Sequence, residues 1–178
     1  MKRRPLKYLF ILLFSVEALA GVLQGRVVSI ADGDTFTVLD ASNKIYKVRL
    51  LGIDAPEKRQ PFGNVAKNRL SQLIFKKSAT VEFKKKDRYG RILGKVFCNG
   101  VEINVRLIQE GLAWHYKQFA RDQTPADRKR YAEQEERARR LTQGLWTDKR
   151  PIPPWLFRET GRDLAKGRQK RPPKRRRW

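Results

Sequence analysis

One cysteine and one histidine are all that this chain offers to thiolate or imidazole chemistry. A lone Cys98 can close no internal disulfide, and no Cys-rich zinc site can be assembled. With His115 alone, mechanisms that need a His pair or several His ligands are excluded. Acidic residues are also scarce, 18 against 41 Lys and Arg, which leaves a net charge of +23. Such an excess points to a polyanion partner, nucleic acid first and anionic membrane second. A long apolar run is missing too. Tyr8–Val16 is too short to span a bilayer comfortably. Apolar residues still make up 40% of the chain, enough for a real core.

What is present divides into three stretches. Lys2, Arg3, Arg4 and Lys7 precede the apolar Tyr8–Val16, and Ala18-Leu19-Ala20 gives a small-x-small cleavage pattern. Residues 1–20 therefore read as a signal peptide, with a mature chain beginning at Gly21. Its removal takes away four basic residues and Glu17, so the net charge falls from +23 to +20. Export to the periplasm or the medium is the expectation. A buried Cys98 with no partner can coexist with that oxidising compartment. Residues 21–157 carry the regular patterning of one domain. Residues 158–178 are rich in Lys, Arg and Pro and read as a basic disordered tail.

Within the domain, Val22–Ile30, Thr35–Leu39, Ile45–Ile53, Thr80–Lys84 and Ile92–Cys98 have the composition of strands. In the third, Tyr46, Val48 and Leu50 share a face and Arg49 points the other way. Ala31-Asp32-Gly33-Asp34 reads as a turn, because Gly permits positive φ and Asp tolerates it. Asn99-Gly100 is a tight-turn signal. Gly63–Lys77 changes period, with Ala66, Leu70 and Ile74 on an amphipathic helical stripe. Asn104 is placed to cap a short helix that ends at Gly111. Thr124-Pro125-Ala126-Asp127 opens a longer helix running to about Gln143. Five short strands with a helix after the third predict an α+β fold, a five-stranded OB-type barrel with three α-helices.

Three polar clusters interrupt the apolar strands. Asp32-Gly33-Asp34-Thr35 sets two carboxylates at a hairpin turn, a pattern suited to a hard cation and equally to a plain turn. It is not an EF-hand, because the fifth and twelfth positions counted from Asp32 are Phe36 and Asn43. Arg49-Leu50-Leu51-Gly52-Ile53-Asp54-Ala55-Pro56-Glu57 brackets a sharp turn with Asp54 and Glu57, which can divide metal holding and proton handling between them. Asp87-Arg88-Tyr89-Gly90-Arg91 places two guanidinium groups and a phenol in one turn. Arg grips phosphate with a two-pronged fork, and Tyr stacks on a base. Each cluster alone is also compatible with a solvated polar loop.

Taken in order, the three clusters resemble the staphylococcal (micrococcal) nuclease family, as do the later Asn104-Val105, Leu107–Leu112 and Gly144-Leu145-Trp146. The resemblance covers about 125 residues. It implies an OB-fold barrel binding one Ca²⁺, with Asp34 and Asp54 as carboxylate ligands and the Ala55 carbonyl as a backbone ligand. Family members usually have Thr at that last place, and a carbonyl ligand survives the change to Ala. The resemblance further implies Arg49 and Arg91 as phosphate clamps and Glu57 as the group acting on the attacking water. Asp32 matches an outer residue supporting the turn. Arg88 and Tyr89 match a Lys-Tyr pair that meets a nucleotide phosphate, with Arg in place of Lys. Tyr116 or Trp114 matches a substrate-stacking aromatic. The segment Trp114-His115-Tyr116 and the loop after Glu57 are both shorter than in the best-known member.

The expected activity is calcium-dependent hydrolysis of DNA and RNA to 3′-phosphate and 5′-hydroxyl ends, by a monomer with no stable membrane association once the leader is gone. The competing readings are a catalytically silent nucleic-acid-binding barrel and a basic membrane-surface protein. His115 reads as a packing residue and not as a catalyst.

Overall fold

The first strand, β1 (Gly21–Ile30), serves two neighbours in succession. The computed structural model describes residues 21–165, with side chains through residue 161. The leader expected over residues 1–20 and the tail beyond residue 165 lie outside the described residues. The second half of β1 pairs antiparallel with β2 (Thr35–Leu39), from Arg26 opposite Leu39 to Ile30 opposite Phe36. Its first half pairs with β5 (Ser78–Lys86), from Gly21 opposite Phe83 to Arg26 opposite Ser78. The crossing between the two partners is tight: a Cβ on Gly25 would lie 2.4 Å from the Leu39 carbonyl oxygen. A register shift between Val27 and Ser29 marks a bulge, which bends the strand around the barrel.

The sheet continues through β3 (Ile45–Leu50), paired with β2, and β6 (Ile92–Cys98), paired with β5. It closes because β3 and β6 also pair, in parallel, with Val48 opposite Ile92 and Leu50 opposite Gly94. Five strands in the order β3-β2-β1-β5-β6 thus form the expected OB-type barrel. Alternation along β6 is complete: Ile92, Gly94, Val96 and Cys98 face inward and the residues between them outward. Val27, Phe36, Val38, Val48, Leu50 and Val81 fill the interior with them. Cys98 is a buried free thiol in this core. Burial raises its pKa, as expected of a packing residue.

The third strand breaks earlier than the sequence pattern predicts. β3 stops at Leu50, the chain turns at Gly52 with φ +74°, and Ile53-Asp54 forms a separate short strand, β4. A glycine can hold that dihedral, and the bond from the Leu51 N–H to the Gly94 carbonyl, at 2.8 Å, is the last of the parallel β3–β6 ladder. Between β4 and β5 lies α1 (Gly63–Ile74), which buries Ala66, Leu70 and Ile74 across one end of the barrel. After β6, the Asn99-Gly100 turn has φ of 50° and 74° at its two residues. It leads to the short β7 (Val101–Glu102), which pairs back on β6.

Helix α2 (Ile103–Gln109) begins at Ile103, and Asn104 is not its cap. Asn104 is fully buried. Its Oδ1 accepts from the Val96 N–H at 2.9 Å, and its Nδ2 donates to the carbonyls of Leu51 at 2.9 Å and Gly94 at 3.1 Å. The side chain thus satisfies backbone groups where β3 leaves β6, which a sequence reading of a local cap does not reveal. Beyond α2, β8 (Trp114–His115) pairs with β4, setting His115 opposite Ile53 and Trp114 opposite Asp54. α3 (Pro125–Arg140) starts as predicted, with the Asp127 N–H donating to Thr124 Oγ1 at 3.1 Å. It stops three residues short of Gln143. Its buried face includes Glu135, whose carboxylate accepts from the His115 N–H at 3.1 Å and from Lys117 Nζ at 2.9 Å. His115 is itself buried, with Nε2 at 2.9 Å from Gln123 Oε1, consistent with a packing role.

The sequence pattern does not predict the fourth helix. α4 (Pro154–Ala165) runs through the boundary expected at residue 157, so residues 158–165 are helical and not part of a disordered tail. The three expected α-helices are therefore joined by one more. No helix among the described residues is long and apolar enough to cross a membrane.

Candidate active site

The hairpin turn between β1 and β2 delivers the first acid. Gly33 does this through its size and not through the positive φ that glycine permits. A Cβ on Gly33 would stand 2.7 Å from Ala55 Cβ and 2.8 Å from Ala66 Cβ, so only glycine lets the turn lie against both segments. Asp32 accepts the Asp34 N–H at 3.1 Å, closing the turn on itself. Burial, and then the neighbouring Asp34 charge, push the Asp32 carboxyl up to about 6. Asp34 is buried. Its Oδ1 accepts from Thr35 Oγ1 at 2.8 Å, and its Oδ2 accepts from the Ala55 N–H at 3.1 Å. That last bond ties the turn to the chain just past β4.

The kink at Gly52 supplies the second acid by folding Asp54 and Ala55 back toward Asp34. Asp54 is wholly buried. Arg49, from the outward face of β3, spans the two acids. Its Nη1 donates to Asp34 Oδ1 at 3.1 Å, and its Nη2 reaches Asp34 Oδ2 at 3.1 Å and Asp54 Oδ1 at 2.5 Å. Burial on its own would lower the Arg49 pKa, but the Asp34 and Asp54 charges raise it. Burial raises the Asp54 carboxyl against the pull of its guanidinium partners. An acid so placed demands a cation.

Glu57 stands at the rim, with about a third of its side chain exposed. Its N–H donates to Gln60 Oε1 at 3.1 Å, which holds the turn after Pro56. Arg91, immediately before β6, is brought to the same mouth. Its Nη1 lies 3.5 Å from Thr35 Oγ1, while Nε and Nη2 pair with Asp87 at 2.8 and 2.7 Å. Asp34, Asp54, Ala55, Glu57, Arg49 and Arg91 therefore share one barrel mouth. Arg88 and Tyr89 stand apart at the tip of the β5–β6 hairpin. There Arg88 Nη2 donates to the Tyr89 hydroxyl at 2.7 Å, and the guanidinium carbons of Arg88 and Arg91 lie 4.8 and 5.4 Å from the Tyr89 ring centroid. Of the two aromatic alternatives, Trp114 is buried against Trp146, while Tyr116 is only half-buried.

Sequence reasoning missed Arg158 and Trp155, both on α4. Arg158 Nη2 donates to Asp54 Oδ2 at 2.7 Å, and Nη1 donates to Asp54 Oδ1 at 3.2 Å and to Glu57 Oε1 at 2.6 Å. Trp155 stacks on Tyr116, with ring centroids 5.3 Å apart and planes 13° from parallel. The available signal was Pro153-Pro154 followed by Trp155-Leu156-Phe157, a helix start with apolar residues.

The donor set suits a hard cation. The atoms that could ligate it are oxygens only, from two buried carboxylates and the Ala55 backbone. Among the described residues, no three His, Cys, Asp or Glu side chains converge as a ready metal cluster, so backbone and water oxygens would have to complete the shell. A buried acid pair crossed by guanidinium groups, at the mouth of a basic OB-type barrel, suits a site for phosphate and a hard cation. Residues 47–148 match the staphylococcal nuclease homologue family. An uncharacterized endonuclease of Escherichia coli is 39% identical over 151 residues, which cover 84% of this chain and 94% of that protein. A micrococcal nuclease of Shigella flexneri is 40% identical over 164 residues, 87% of this chain and 91% of that protein. An uncharacterized endonuclease of Haemophilus influenzae is 44% identical over 133 residues, 75% of this chain and 71% of that protein. The chain belongs to the staphylococcal nuclease family.

Proposed function

We propose that this chain hydrolyses phosphodiester bonds in DNA and RNA with the help of Ca²⁺, leaving 3′-phosphate and 5′-hydroxyl ends. That it is an endonuclease acting on nucleic acid follows from its family; the metal, the range of substrates and the residue roles are the proposal. The observation that carries it is Arg49 bridging two buried acids, Asp34 and Asp54, from separate segments. Asp34, Asp54 and the Ala55 carbonyl would hold Ca²⁺, which when bound neutralises charge on the scissile phosphate.

The chain's own groups do the rest. Arg49 and Arg91 present guanidinium forks to the non-bridging oxygens, where negative charge grows in the transition state. Glu57 accepts the proton of the attacking water as the new P–O bond forms. The P–O5′ bond breaks, and the departing 5′ oxygen takes a proton from solvent. Tyr116, with Arg88 and Tyr89 on the hairpin tip, would contact the bound strand. We further propose that residues 1–20 are removed on export and that the mature chain acts outside the cytoplasm.

Plasmid nicking tests the reading directly. Cleavage should occur with Ca²⁺, stop with a chelator and return when Ca²⁺ is restored, and the products should accept radiolabel from a kinase at their 5′-hydroxyl ends. Cleavage undiminished by the chelator would remove the metal. Tight binding without cleavage under all conditions would leave a silent nucleic-acid-binding barrel. Mass spectrometry of exported protein should show a chain that begins at Gly21.

A further inference from the structure

The helix α4 lies across the site at two points that the proposed chemistry needs free. Arg158 spends its fork on both oxygens of Asp54 and on Oε1 of Glu57. Trp155, one turn earlier on the same helix, covers Tyr116 by stacking. Burial opposes the charge on Arg158, but its contacts with Asp54 and Glu57 outweigh this and raise its pKa, so the group is a fixed cation. Asp54 is fully buried, and each of its oxygens already accepts from a guanidinium. A cation ligated by Asp54 and the Arg158 fork cannot hold the same lone pairs together.

The seat of the helix is also unlike the barrel core. Beneath it is a cavity of about 100 Å³, lined among others by Pro56, Phe62, Trp114, Leu145 and Phe157. Phe157 of α4 borders that space, and there it forfeits the dispersion contacts of a close-packed interface. The helix start is tethered by Gln60 Nε2, which donates to the Ile152 carbonyl. This tether would let the helix swing without the chain losing its place. Gln60 also holds the Glu57 turn through the Glu57 N–H.

We propose that α4 is an internal competitor for metal and substrate: Arg158 holds Asp54 and Glu57 as a substitute cation, and Trp155 masks Tyr116, until calcium and a nucleic-acid strand displace the helix. The inference rests on the proposed role of calcium. Its logic is mutual exclusion at Asp54, so helix docking and calcium binding weaken one another by the same factor. Before displacement, Arg158 gives Asp54 a second guanidinium beside that of Arg49 and gives the rim carboxylate of Glu57 its ion-pair partner. Apparent calcium affinity is the intrinsic affinity reduced by the fraction of molecules with the helix lifted.

Calorimetric titration of the full chain with CaCl₂ alone tests this without relying on turnover. Arg158→Gln should bind calcium about tenfold more tightly than the parent, as expected when a competing state is removed. Arg150→Gln, which removes an exposed charge near the helix start, should change affinity less than about twofold. Arg158→Lys should fall between the parent and Arg158→Gln, because the charge stays and the fork goes. Circular dichroism checks that each variant is folded. Hydrogen exchange in residues 154–161 of the parent should accelerate when calcium and a phosphorothioate oligonucleotide are added together. If the parent binds calcium and Arg158→Gln binds it no more tightly, or if exchange in α4 is unchanged, the competitor is refuted and the metal reading stands. If neither protein binds calcium, the metal reading fails and takes the competitor with it.

Discussion

Replacing Glu57 by Gln separates chemistry from structure more cleanly than any other single change at this site. The side chain is about one-third exposed, and its one charged contact is to Arg158, itself one-third exposed. An ion pair so open to water contributes at most about 1 kcal/mol, and Gln keeps an oxygen that accepts from Arg158 Nη1. The backbone N–H of residue 57 still finds Gln60 Oε1, so the turn is untouched. Stability should therefore fall by less than about 1 kcal/mol, a shift of a few degrees in Tm for a chain of this size. What disappears is the basic oxygen. Removal of a general base costs roughly two to four orders of magnitude in turnover. That is about 3–5 kcal/mol of barrier at 1.36 kcal/mol per factor of ten. The assay is single-turnover cleavage of an end-labelled oligonucleotide at saturating calcium, run beside a thermal melt. Calcium affinity should stay near that of the parent or tighten modestly, because Asp34, Asp54, Arg49 and Arg91 remain and Arg158 loses a charged partner. Near-normal turnover in Glu57→Gln would refute the role and leave water to be activated by another group.

Asp34→Asn keeps an acceptor for the Ala55 N–H or the Thr35 hydroxyl but loses the charge, so the calcium needed for half-maximal cleavage should rise at least about tenfold. Unchanged affinity in calorimetry with a nucleotide present would take Asp34 out of the site. Asn104→Ala strips the side-chain partner from the Val96 N–H and from the Leu51 carbonyl at the barrel seam, while the Gly94 carbonyl keeps the Leu51 N–H. The destabilisation should be about 2–4 kcal/mol, since each unsatisfied buried group costs roughly 1–3 kcal/mol, and a melt within a degree of the parent would contradict it. Ending the chain at Ala165 preserves α4 and deletes eight Lys and Arg. DNA binding should weaken and its dependence on salt flatten, by about 0.9 in the log–log slope for each phosphate that is no longer neutralised. An unaltered slope in filter binding would show that those cations do not meet phosphate.

Much of the barrel was legible because its strands carry the period of two. β2 and β6 have the bounds that alternation assigns, and Thr124 caps α3 as its spacing suggests. The failures share a physical cause: the deciding partner lies far along the chain. Asn104 has the local signature of a cap, yet it bonds to Leu51, 53 residues away. Gly33 reads as a turn residue, whereas its need is set by Ala55 and Ala66. The composition after residue 157 is that of a solvated polyelectrolyte. α4 nevertheless extends past that point, carrying Arg158, whose partners Asp54 and Glu57 are 104 and 101 residues earlier. The site acids and Arg49 stood out because charges inside apolar strands demand an explanation, but how they face one another depends on the kink at Gly52.

The separation of the two arginines proposed as phosphate clamps is a matter of strand register. Arg49 follows Val48 on β3, and Arg91 precedes Ile92 on β6. Val48 and Ile92 are directly paired across the parallel seam that closes the barrel. The two guanidinium groups therefore flank one rung of the sheet, although 42 positions separate them in sequence. Because side chains alternate faces, slipping β3 by one residue would turn Arg49 into the barrel interior and expose Val48 in its place. Burial of Val48 and Leu50 opposes that slip, and so does Asn104, which binds the backbone on both sides of the seam. The apolar face of β3 thus fixes the position of a charged group on its other face. Packing inside the barrel and the placement of Arg49 and Arg91 at its mouth are set by the same pairing.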